Sequence, residues 1–175
     1  MPKKVEVTVQ KLGLEEIKKY INDNCEYQSY GFYTVKTPLK VWKKTYTDRN
    51  YNDVLTALLI PAGETIYANL HSLTFDENIS FRKMRASGAQ VIKQNVIYGY
   101  RYHSNNGCTY NVGGNSHTEI ELKYKEIQKS ISDRDNSFQY KTGKYVVPEF
   151  EFSLKDKQCA SGIHFFVNMT DALIY

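Results

Sequence analysis

A chain of 175 residues, 41% hydrophobic and 24% charged, is long enough for one domain with a sizeable core and too short to expect two. Its formal net charge of +4 comes from 23 basic and 19 acidic residues, a mild excess that does not by itself point to nucleic acid. No window approaches the ~18 consecutive apolar residues of a membrane helix, and three well-separated cysteines without an apolar leader predict reduced thiols in a cytosolic setting.

"VEVTVQ" (residues 5–10) alternates with period two and reads as a strand, after which Leu14, Ile17 and Ile21 stand at helical spacing. "YGFYTVKT" and "LKVWKKTY", separated around Pro38, read as a hairpin-like pair of strands with Val41 and Trp42 as core candidates. "DVLTALLI", "PAG" and "ETIYANL" read as strand, tight turn, strand. The longest strand signal is "AQVIKQNVIYGYRYHS" (residues 89–104), which with "TEIELKYKEI" predicts a long hairpin with a mobile tip over residues 105–116. The polar stretch "QKSISDRDNSFQYKTG" reads as a surface connection. In "CASGIHFFVNMTDALIY" a turn at Gly162 feeds a strand with Ile163, Phe165 and Val167 on its core face, and Thr170 or Asp171 caps a short helical turn. Fifteen tyrosines and eight phenylalanines suit half-buried pleated surfaces. Residues 1–175 are therefore predicted to form a single α+β domain, mainly antiparallel sheet, with one N-terminal helix and a short C-terminal helical turn.

Four arrangements bear on chemistry. Cys159 and His164 have the residue types of a nucleophile pair, but no third orienting residue accompanies them, and the bland reading is a small buried thiol and a core histidine. His103 with Cys108, and Cys159 with His164, make two pairs that could complete a Cys2His2 zinc set, at a looser spacing than zinc ribbons use. Glu149 and Glu151 place two carboxylates on one strand face, as ADP-ribosyltransferases do, yet Glu119 and Glu121 repeat the spacing, as any solvated strand face would. "SFRKMR" (residues 80–85) mixes aromatic and basic side chains in the manner of a nucleic-acid surface or of a snorkelling rim. No complete catalytic constellation results, and neither a metal site nor a cofactor is predicted.

Tyr140, Gly143, Val146, Pro148 and Phe152, followed by Cys159, Gly162, Ile163, His164, Phe165, Phe166, Ala172 and Tyr175, form a pattern similar to that of the DUF5758 group, uncharacterised domains of giant DNA viruses. The phage rIIB-type proteins end in a similar element. Residues 85–93 resemble a second, basic segment of the group, with Met84 where the pattern has a cysteine. The group has no assigned activity, so the resemblance implies a shared fold and a viral source, and a composition rich in Lys, Asn and Tyr agrees with an AT-rich genome. Cys159, Gly162, His164 and Phe165 read as structural members of the motif. The function expected is that of a non-enzymatic protein-binding or assembly module, in the virion or the host cytoplasm. Its contact surface is expected at hairpin tyrosines Tyr98, Tyr100, Tyr102 and Tyr124, which suit a protein partner or self-association. A nucleotide- or NAD-processing enzyme and a nucleic-acid-binding protein are the alternatives.

Overall fold

The computed structural model describes residues 3–9, 12–73, 79–103, 118–133, 135–155 and 160–175; of residues 3–9, 72, 81, 99–103 and 118–123 the backbone alone is described. In chain order the elements are β1 (Lys3–Val9), α1 (Leu14–Asn24), β2 (Cys25–Ser29), β3 (Phe32–Val35), β4 (Leu39–Tyr46), β5 (Asp53–Ile60) and β6 (Thr65–Tyr67). Two 3-10 turns, Leu70–Ser72 and Ile79–Arg82, lead to β7 (Met84–Ala86) and the long β8 (Ala89–His103). Then come β9 (Thr118–Ile127), β10 (Lys129–Ile131), β11 (Gln139–Lys141), β12 (Tyr145–Val146), β13 (Ile163–Phe165) and α2 (Met169–Ile174). The α+β, mainly antiparallel class is as expected from the sequence, and among the described residues no helix is long and apolar enough to cross a membrane.

Helix α1 forms where the apolar spacing places it. Leu14, Ile17 and Ile21 are buried on one face. Glu16 accepts the Gly13 N–H at 2.8 Å, so an otherwise unpaired donor of the first turn is satisfied by an acid that also suits the positive end of the helix dipole.

Eight described strands make one sheet in the order β1-β9-β8-β5-β4-β10-β11, with β12 paired to β8, and five make a second in the order β13-β7-β6-β3-β2. A bridge between Trp42 and Phe166 joins β4 of the first sheet to the residue following β13. Leu58 and Ile60 of β5 enter a core shared with α1 and the second sheet, whereas Leu55 packs against Phe166, Met169 and Leu173 beneath α2. Strand β5 is thus buried on both faces, which is why its sequence is an apolar run rather than an alternation.

The expected strand, tight turn, strand over β5 and β6 is present, but the hairpin-like pairing expected of β3 with β4 is not. Strands β3 and β4 belong to different sheets, and so do β5 and β6. At the first crossing Lys36 and Thr37 donate to Asn24 O, and at the second Gly63 donates to Val35 O. A tight turn therefore carries the chain between layers, and strand patterns adjacent in sequence do not establish pairing. A tight hairpin joins β2 to β3 through Tyr30 and Gly31, both at positive φ (48° and 85°), as a two-residue turn of the twist-matching kind requires.

The stretch expected as a surface connection supplies β10 and β11. Ser130, Ile131 and Tyr140 are buried. What replaces apolar patterning is a hydroxyl and amide network crossing four strands: Thr45 Oγ1 bonds to Thr56 Oγ1 at 2.8 Å and to Ser130 Oγ at 2.7 Å, and Ser130 donates to Gln94 Oε1. Gln94 Nε2 donates to Tyr140 O and Thr142 Oγ1, both at 3.1 Å. A polar segment can occupy a sheet interior when every such group finds a partner.

The expected long hairpin is present as β8 and β9, paired antiparallel from Gln94–Ile127 to His103–Glu119 with a bulge between Ile97 and Gly99. Beyond Val96 strand β8 loses its β5 partner, so the hairpin and β1 continue as a three-stranded extension. The expected tip, residues 105–116, lies outside the described residues.

Candidate functional site

Strand β13 runs antiparallel to β7, pairing Ile163 with Ala86, His164 with Arg85 and Phe165 with Met84. Alternation then sorts its side chains: Ile163, Phe165 and Val167 join the main core, as expected, and His164 turns the other way to line a cleft of about 410 Å3. Lys43 of β4, Lys83 beside the second 3-10 turn, and Tyr140 of β11 come to the same cleft. Asp133 and Asp135 from the β10–β11 connection, and Glu149 and Phe150 from the segment after β12, complete its walls together with Tyr175.

The cleft is cationic at one end and acidic at the other. Lys43 Nζ donates to His164 O at 3.3 Å and stands 5.9 Å over the Tyr140 ring. Lys83 Nζ donates to the Tyr175 hydroxyl at 2.9 Å and stands 5.0 Å over that ring. Burial holds the Tyr140 phenol well above its ordinary pKa. At the acidic end the Ser137 hydroxyl and N–H both bond Asp135, pulling its carboxyl below the usual range. Glu149 donates a hydrogen bond to Asp135, and this, reinforced by the Asp135 charge, pushes the Glu149 carboxyl up. On deprotonation Asp135 therefore ionises first and Glu149 keeps its proton longer.

Arg85 organises the segment that forms one wall. Its side chain is among the largest fully buried ones, with the guanidinium 4.8 Å from the ring centroids of Tyr67 and Phe152 and 5.6 Å from that of Phe32. Nη1 donates to Ser153 O at 2.5 Å and Ser161 O at 3.1 Å, and Nη2 donates to Lys155 O. Burial lowers the guanidinium pKa, opposed by Tyr67, but an arginine starts so high that it stays charged. One cation thus pins an irregular strap, residues 147–155, to the five-stranded sheet.

The chain bends over residues 160–162 just before β13, and Gly162 there also serves this latch. A Cβ at position 162 would stand 2.9 Å from Arg85 Cβ, 3.2 Å from its Cδ and 3.3 Å from its Cγ, and the trapped arginine has nowhere to move. Gly162→Ala is expected to cost about 1–3 kcal/mol as overpacking, read from the shift of the denaturant midpoint. No measurable shift would mean that the strap yields freely.

The sequence-derived candidates divide. His164 and Glu149 meet at the cleft, whereas Glu151 is exposed and does not line it. Phe165 is fully buried, and Cys159 lies outside the described residues. Tyr98 is half exposed at the β8 bulge, while Tyr124, paired with Ile97, packs partly buried against the cluster beneath α2. Tyr100 and Tyr102 are in register with Leu122 and Ile120; their side chains, with those of His103, Glu119 and Glu121, lie outside the described residues, as does Cys108. Among the described residues no group of three His, Cys, Asp or Glu could hold a metal ion.

The basic stretch at residues 80–85 is the largest surprise. It is not a surface rim: Arg82, Lys83 and Arg85 are all buried, bound respectively to Asp171, to Tyr175 and to the strap carbonyls. The available signal was the alternation of Arg82, Met84 and Ala86 with Lys83 and Arg85 before a strong strand, in a stretch too short for periodicity to be decisive.

No curated protein and no solved structure matches the chain. Residues 115–172, which carry the acidic wall, the strap, His164 and most of α2, match the family model of DUF5758, a family of unknown function.

Proposed function

We propose that the protein is a non-enzymatic protein-binding module whose principal contact surface is the strap. The observation that supports this reading is the exposure of large apolar side chains on a segment that is otherwise firmly held: Phe150 is 73% and Leu154 77% exposed, while Arg85 fixes the backbone around them. Leu154 faces a shallow groove of about 560 Å3 shared with Tyr30, which is 80% exposed. Apolar side chains held outward by a fixed backbone lose little conformational freedom on binding, and their burial against a partner is favourable.

The β8–β9 hairpin is the second contact surface. The exposure of Tyr98 supports it, and the part-burial of Tyr124 leaves that residue a smaller share. A viral source, with action in the virion or host cytoplasm, belongs to the same proposal; it rests on the AT-rich residue usage and the family resemblance.

The test is co-purification from the native source with wild type and with a Phe150→Asp, Leu154→Asp variant. The substitutions fall on exposed positions, so the unfolding midpoint should hold within about 0.5 kcal/mol. A partner retained by wild type and lost by the variant is expected. Identical partners at identical yield would exclude the strap as the contact surface.

A further inference from the structure

We infer that the cationic end of the cleft binds the phosphoryl group of a small phosphomonoester, whose hydroxyl-bearing organic part lies toward the acidic end. Adjoining the cleft, and sharing Lys43, Lys83, Asp133, His164 and Tyr175 with it, is a recess of about 50 Å3. That is a few times the ~10–15 Å3 a single water needs, room for one tetrahedral oxyanion and little else. Lys44, Tyr46 and Phe166 complete its lining, so lysines from β4 and from the turn before β7 border the recess, with Asp133 the acidic side chain among its described walls.

Lys83 is the most telling member. It is 5% exposed, and its contacts with the Tyr175 hydroxyl and ring fix where its charge sits. Lysine ammonium groups bind phosphate as point charges from several directions, without the planar matching that a carboxylate draws from arginine.

The opposite end sets the rest of the ligand. Asp135 and Glu149 face it, so a second anionic group there would meet like charge, whereas sugar or alcohol hydroxyls would find acceptors. The Phe138 and Tyr140 rings supply an apolar flank between the two ends. An extended polyanion, such as a nucleic-acid strand or a triphosphate, fits this polarity poorly. A ligand with a single phosphate at one end fits it.

Titration calorimetry on the intact chain with inorganic phosphate, ribose 5-phosphate and ribose tests the assignment. Ribose 5-phosphate is expected to saturate at one per chain and to bind more tightly than inorganic phosphate, with no heat from ribose. Lys83→Met and Lys44→Met should each weaken binding about tenfold or more, the loss of one charge-assisted contact, and Lys19→Met on the far helix should not. Should Lys83→Met fail to fold, the half-buried Lys44 carries the test. Absence of saturable binding at millimolar ligand, equal affinity for inorganic phosphate and the sugar phosphate, or binding indifferent to Lys44→Met would each overturn the assignment.

Discussion

Phe165→Ala is expected to remove ~3–5 kcal/mol of stability, the usual penalty for truncating a buried phenylalanine. The side chain is fully buried in the core that α1 and both sheets share, and its strand position is opposite Met84, itself buried. The cavity would open in that shared core, on the face of β13 away from His164. Against a typical total of ~5–15 kcal/mol, the variant would lose a large fraction of its margin. Denaturant unfolding measures it: the midpoint should fall at unchanged slope. A loss under about 1 kcal/mol would show that the core relaxes around position 165 and that β13 is not one of its structural walls.

Phe165 also shows what kind of information the sequence carries. Ile163, Phe165 and Val167 alternate after a glycine, and that local pattern is enough to place them inside. Leu14, Ile17 and Ile21 do the same for α1. The β8–β9 hairpin is legible because both strands are long and strongly patterned. Pairing between layers is not legible: nothing in "YGFYTVKT" or "LKVWKKTY" says that the turn at Pro38 changes sheets, because each strand satisfies its own alternation either way. The buried network of Thr45, Thr56, Gln94 and Ser130 is hidden for a related reason, since a satisfied polar core has the composition of a surface.

The site was read in halves. His164 and Glu149 could be singled out as chemistry-bearing residues, but their meeting depends on the strap's path, which Arg85 determines from more than sixty positions away in the chain. The bend at Gly162 is legible from the glycine itself, but its close approach to Arg85 is visible only in the tertiary structure.

The same limitation applies to Arg82 and Asp171, which carry the second large expected effect. Arg82 Nη1 donates to Asp171 Oδ1 at 2.8 Å, with the side chains 7% and 1% exposed, and Asn168 Nδ2 donates to the other carboxylate oxygen at 3.3 Å. Asn168 in turn exchanges bonds with the Leu12 main chain, so the pair ties α2 to the second 3-10 turn and to the entrance of α1. Arg82 Nε is buried without a hydrogen-bond partner, so the guanidinium depends heavily on Asp171. Asp171→Ala should therefore cost ~3–5 kcal/mol, most of it the penalty of a buried cation left without its anion. The double variant Arg82→Met, Asp171→Leu removes both charges and fills the volume with apolar atoms, so it should recover most of that loss and could equal the wild type. The two results together separate charge from packing. If the double variant is as unstable as Asp171→Ala, the contribution lies in the shape of the junction beneath α2; if Asp171→Ala itself costs less than about 1 kcal/mol, water reaches Arg82 and the pair is not a buried one.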